Sequence, residues 1–128
     1  MSIQMVDLKG QYQRIKADVD AAMARVIDST AFIRGPEVAA FEKELSDKLD
    51  GAAVLGVANG TDALQIAFMA LGLGPGDEVI TASFTFVATA EAVGLLGATP
   101  VFADIDPATF NLNPAQVESL ITDRTKAI

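Results

Sequence analysis

The chain has 128 residues, a formal net charge of -8, 51% hydrophobic residues, seven Phe and no Trp, so one domain with a real core is expected. It contains neither cysteine nor histidine, which excludes disulfide scaffolds, thiolate or imidazole metal sites, Cys nucleophiles and Ser-His-Asp catalysis within these residues. There is no cluster of Lys and Arg for nucleic acid, no apolar run long enough to span a bilayer and no leader-like pattern in Met1 to Gln11, so a soluble cytoplasmic protein is expected.

Leu8 to Ile27 reads as an amphipathic helix, because Ile15, Val19, Met23 and Ile27 recur every fourth residue. Asp28-Ser29-Thr30 breaks the pattern, and Arg34-Gly35-Pro36 opens a second helix with Pro36 at its first position and Glu37 at its positive end. Val38, Phe41 and Leu45 form the apolar side of that helix, which Asp50-Gly51 ends. From Ala52 the period changes. The nearly continuous apolar run Ala52 to Ala58 predicts a buried strand, followed by the turn Asn59-Gly60-Thr61-Asp62 and a helix over Ala63 to Leu73. Gly74-Pro75-Gly76-Asp77 is a turn. Then come a strand over Glu78 to Ala82, a helix over Thr85 to Leu96 stopped by Gly97, and a strand over Thr99 to Asp104. A helix from Pro114 to about Thr122 follows, and Lys126-Ala127-Ile128 has the character of a strand beginning. Alternating strands and helices predict an α/β fold with a mostly parallel sheet and helices on both faces, preceded by two N-terminal helices. Because the last apolar segment stops after two residues, the chain is expected to be part of something longer.

Three places have the character of a site. In Ala58-Asn59-Gly60-Thr61-Asp62-Ala63-Leu64 a strand gives way to a tight turn and a helix. Free N–H groups at a helix start bind phosphate, Gly60 permits close approach and Thr61 adds a hydroxyl, but an ordinary capped helix fits the same residues. The Asp62 carboxylate would repel an anion, so it is expected to turn away and support the helix dipole. Phe84 and Phe86 follow the next strand, at the edge where parallel sheets place ligands; they read either as a face for a flat heteroaromatic ring or as core. Asp104 and Asp106 read either as ligands for a metal or substrate or as turn formers before Pro107.

Five stretches, in order, carry a family resemblance: Phe32-Ile33-Arg34-Gly35-Pro36-Glu37-Val38, Val57 to Leu64, Gly74 to Thr81, Phe84-Thr85-Phe86-Val87-Ala88-Thr89 and Gly97 to Asp106. With the opening Val6-Asp7-Leu8-Lys9 to Gln11-Tyr12, they cover essentially the whole chain. It resembles the N-terminal portion of the DegT/DnrJ/EryC1/StrS family of nucleotide-sugar aminotransferases, pyridoxal phosphate (PLP) enzymes of fold type I. The resemblance implies transfer of an amino group from glutamate or glutamine to a nucleotide-linked keto sugar, in a homodimer with the active site at the interface. It divides the chain into an N-terminal helical segment, residues 1–50, and the first part of the PLP-binding large domain, residues 51–128. Gly60, Thr61 and the backbone of Asp62 match the phosphate-binding turn, Phe86 matches the residue stacked on the pyridine ring, and Phe32 is a candidate for lining the partner's substrate site or, equally, a buried anchor between two helices.

The family's pyridine-pairing Asp and Schiff-base Lys have no counterpart here. Lys9, Lys16, Lys43, Lys48 and Lys126 match no catalytic position, so this chain alone is expected to be inactive. A non-catalytic ligand-binding or assembly module, or a PLP-dependent sugar dehydratase relative, are the alternatives.

Overall fold

A computed structural model describes residues 5–128 and divides the chain into two compact units, Met1–Gly56 and Val57–Ile128. The first unit holds α1 (Leu8–Ser29) and α2 (Pro36–Lys48). The Asp7 carboxylate caps α1 by accepting from the Gly10 N–H at 2.8 Å, and Thr30 closes it in the left-handed region. α2 starts on Pro36, as expected, with Glu37 in its first turn. Neither helix buries a side chain fully, so the apolar stripe of α1 stays substantially exposed at Ile15, Met23 and Ile27.

The second unit is α/β. Its elements are α3 (Gly60–Ala70), β1 (Glu78–Ala82), α4 (Ala88–Leu95), β2 (Thr99–Ala103), α5 (Pro114–Leu120) and β3 (Thr125–Ala127). The strands form a parallel sheet of order β2-β1-β3, with Glu78 opposite Thr99 and Ala82 opposite Ala103. The crossovers through α4 and α5 carry the chain in opposite directions across this sheet. Right-handed connections therefore put those two helices on opposite faces, as the alternating pattern predicted.

The core forms where β1 meets α4. Val79 and Val93 are buried together with Leu73 and Ala98, and Phe68 of α3 packs against them. The turn Gly74–Asp77 leads into β1 and is closed by the Gly74 N–H on the Asp77 carboxylate, 3.0 Å, and the Asp77 N–H on the Gly74 carbonyl, 3.1 Å. Gly97 ends α4 at φ 78°, and a Cβ there would stand 3.1 Å from Pro75 Cγ, so both backbone and packing require glycine.

Two expectations need correction. Ala52–Ala58 forms no strand among the described residues. A strand exists only where its backbone groups pair with a neighbour, and here the Gly56 N–H donates instead to the Glu42 carboxylate at 2.8 Å. The helices also start and stop elsewhere. Asn59 caps α3, so that helix begins at Gly60 rather than Ala63, while Thr85 to Val87 link β1 to α4 instead of belonging to it.

On the other face of β1 the side chain of Glu78 is buried, with 7% of the residue exposed. Its Oε2 accepts from the Thr122 hydroxyl at 2.6 Å and its Oε1 from Arg124 Nε at 2.9 Å, with a second bond from Arg124 Nη2. The Thr122 bond first, then Arg124, hold the Glu78 carboxyl below its ordinary range. The lowered value makes the tie fully stabilising above the ordinary carboxylate range, and this contribution is lost as pH falls through the folded-state value. Glu78→Gln is accordingly expected to lower the urea midpoint at neutral pH. The gap to the unmodified chain should narrow on acidification from about pH 7 to about pH 3; a gap independent of pH would show that the carboxylate charge is not what ties β3 to β1.

Candidate functional site

The N-terminus of α3 is built by one residue. Asn59 Oδ1 accepts from the Asp62 N–H at 2.9 Å, and Asn59 Nδ2 donates to Asp62 Oδ2 at 3.0 Å. The Asp62 carboxylate is thus turned onto its own cap, as its charge demanded. The Asp62 N–H, expected to face an anion, is engaged by Asn59. The first-turn N–H groups of Gly60 and Thr61 have no intrahelical acceptor, and they sit at the positive end of the helix. A Cβ on Gly60 would meet no atom within 4 Å, so space in front of the turn is open.

The aromatic residues belong to one edge of the sheet. The 11 residues of α3 rise about 16 Å, the same as the five of β1. A short turn joins the end of α3 to the start of β1, and Phe68 holds α3 against the core. An antiparallel course of α3 along β1 would bring its start toward the edge where Ser83 to Val87 emerge. Phe84 and Phe86 are 68% and 77% exposed, so neither is core in this chain. Ser83, Phe84, Thr85 and Phe86 line an open hollow of about 410 Å³. The Ser83 N–H donates to the Ala103 carbonyl at 2.8 Å, and the Thr89 N–H to the Phe86 carbonyl at 3.0 Å, fixing the link at both ends. The arrangement offers donors and a helix dipole to an anion, and an aromatic face to a flat ring.

Asp106 is a turn former. Its Oδ1 accepts from the N–H groups of Ala108, 2.8 Å, and Thr109, 3.0 Å, and these two bonds, Ala108 first, hold its carboxyl below the ordinary range. Asp104 Oδ1 accepts from the Ile105 N–H at 2.8 Å. No group of acidic residues able to hold a metal ion occurs among the described residues. The turn presents Phe110 at φ 60°, a left-handed conformation that costs a residue with a side chain about 1–2 kcal/mol, and stacks its ring at 5.6 Å and 44° on Phe84. Nothing in the spacing of Phe84 and Phe110 signals that pair, because the sheet register alone brings the two loops together.

In the first unit Phe32 is 65% exposed. It lines an apolar groove with Ala22, Met23, Val26, Ile27 and Glu37.

Asn59→Ala is expected to cost about 1 kcal/mol of stability, the usual value of a lost helix cap, read from chemical denaturation. An unchanged midpoint would show that α3 does not depend on that cap.

Residues 13–128 match the DegT/DnrJ/EryC1/StrS aminotransferase family. The chain is 56% identical over 126 residues to a UDP-2-acetamido-2-deoxy-3-oxo-D-glucuronate aminotransferase of Pseudomonas aeruginosa, covering 98% of this chain and 35% of that protein. Its fold superposes on a DegT DnrJ EryC1 StrS aminotransferase from Brucella abortus with a TM-score of 0.92 at 46% identity, over 99% of this chain and 36% of that one. It superposes on ntda from Bacillus subtilis with bound cofactor PMP with a TM-score of 0.80 at 40% identity, over 85% and 25% respectively. The chain thus spans about a third of the length of the curated relatives it matches. With the family matched along nearly its whole length and the fold superposed on solved members, the chain belongs to the DegT/DnrJ/EryC1/StrS aminotransferases, whose cofactor is pyridoxal phosphate.

Proposed function

We propose that the chain is the N-terminal part of a PLP-dependent aminotransferase that moves an amino group from glutamate or glutamine to a nucleotide-linked keto sugar. What supports this reading is the N-terminus of α3, with its Gly60 and Thr61 donors, together with an exposed Phe86 just after the C-terminal end of β1. The relatives' sugar-nucleotide names support the substrate class. In this reading residues 1–50 are a helical segment and residues 51–128 the first part of the PLP-binding domain. The whole protein works as a cytoplasmic homodimer in which Phe32 faces the partner's substrate. No helix among the described residues is long and apolar enough to cross a membrane.

The residues fit the cofactor. The Gly60 and Thr61 N–H groups and the Thr61 hydroxyl would hold its phosphate, reinforced by the α3 dipole. The Asn59 amide keeps the Asp62 carboxylate from opposing that charge. The Phe86 ring would offer an aromatic face to the pyridine. When bound, PLP supplies the electron sink for charge developing at the amine-bearing carbon.

Turnover requires an amine these 128 residues do not place. The Lys16 ammonium is held by the Asp20 carboxylate, then by the Tyr12 hydroxyl, which raise its pKa further above neutrality. Lys43 pairs with Asp47, and Lys9, Lys48 and Lys126 are exposed. Solvent-exposed amines that no pocket holds against the cofactor are poor candidates for the nucleophile. Borohydride treatment of the chain mixed with PLP should therefore label several lysines at low yield. A single lysine modified stoichiometrically, together with amino transfer to a keto sugar, would contradict this.

In the full-length protein, Thr61→Ala should weaken PLP about fivefold, the value of roughly 1 kcal/mol for one hydrogen bond. Phe86→Ala should weaken it as well. Gly60→Ala should weaken PLP while leaving thermal stability intact, because a Cβ there tilts toward the anion and meets no protein atom. Unchanged affinity in both Thr61→Ala and Phe86→Ala would remove the site assignment.

A further inference from the structure

We propose that Phe110 is a positioning residue for the cofactor's aromatic face: its ring braces Phe84 and so sets the path of the link on which Phe86 is carried. The proposal rests on the assignment of Phe86 made above.

The link between β1 and α4 is anchored at Ser83 by the Ala103 carbonyl and at Phe86 by the Thr89 N–H. Between those points Thr85 Oγ1 pairs with Thr89 Oγ1 at 3.1 Å, which ties the link to α4, and the Phe84 ring meets Phe110 at 5.6 Å, which ties it to the loop after β2. Phe84 and Phe86 are two residues apart in a non-helical stretch, so a rotation of the backbone at Phe84 is transmitted directly to Phe86.

The loop that delivers Phe110 is built to hold still. The Asn113 N–H donates to the Asp104 carbonyl at 3.1 Å, the Asp106 N–H to the Asn111 carbonyl at 2.9 Å and the Phe110 N–H to the Asp106 carbonyl at 2.8 Å. Ile105 and Leu112 form an antiparallel bridge at its base. The Asp106 carboxylate ties Ala108 and Thr109. Within this frame Phe110 has positive φ, a conformation in which glycine or asparagine would be unstrained. A phenylalanine at that position opposes local preference, and its ring makes the contact with Phe84 that the other two would lose.

The experiment is PLP affinity and the induced circular dichroism of the bound cofactor in the full-length protein, for Phe110→Gly, Phe84→Ala, the double variant and Phe110→Tyr. Phe110→Gly removes the ring while relieving the backbone, so its melting temperature should not fall. Its PLP affinity should drop about three- to tenfold, the range of one aromatic pair, with a changed dichroic band. Phe84→Ala should produce the same loss, the double variant no more than either single one, and Phe110→Tyr should retain affinity and band. Normal affinity and dichroism in Phe110→Gly, alongside weakened binding in Phe86→Ala, would overturn the proposal and leave the cofactor site standing. Losses that add in the double variant, or a loss that Phe110→Tyr shares, would overturn it too. If Phe86→Ala itself binds PLP normally, the role of Phe86 fails and the positioning role falls with it, whereas the phosphate seat is judged separately by Thr61→Ala.

Discussion

The second unit depends on β1. It is the strand with a ladder on both edges, and both of its faces are covered, with Val79 set on the α4 side and Glu78 and Ile80 buried on the other. In a parallel sheet the backbone donors and acceptors of a central strand are satisfied only when both neighbours keep register, so β1 locates β2 and β3 rather than the reverse. Glu78 extends this control beyond the ladder. A buried carboxylate must be paired, and the partners it takes, Thr122 and Arg124, are the residues that bring the chain into β3.

The same strand decides where chemistry can occur. Whatever follows its C-terminal end is lifted out of the core, which explains why Phe84 and Phe86 are exposed although their composition suits an interior. Asp62 accepts from the Asn59 amide and Asp106 from the backbone of its own turn. The N–H groups of the first α3 turn add their uncancelled partial positive charge at that helix end. The first unit leaves Met23, Ile27, Phe32 and Ile33 largely open to solvent.

Much of this was legible in the residues. Period-four apolar residues marked α1, Pro36 opened α2, Gly97 closed α4 and Pro114 opened α5, because these signals act within one or two turns of backbone. The alternation of strands and helices sufficed for a parallel α/β sheet, and the turn Asn59 to Asp62 was visible as a helix start beside a possible anion seat. Local chemistry also anticipated that Asp62 would turn back and that Asp106 would form a turn. Tertiary placement decided the rest. Whether Ala52–Ala58 is a strand depends on a neighbour that an apolar run cannot reveal, and the Gly56 N–H found a carboxylate instead. Whether Phe84 and Phe86 are core or surface depends on which edge they leave, and both readings fit the same spacing. The contact between Phe84 and Phe110 depends on the register of β1 with β2 and on a residue held at positive φ against its own preference. Sequence by itself determined what each segment tends to do within a few residues; the tertiary structure decided which segments meet, because pairing and burial are properties of two surfaces and a linear pattern describes only one.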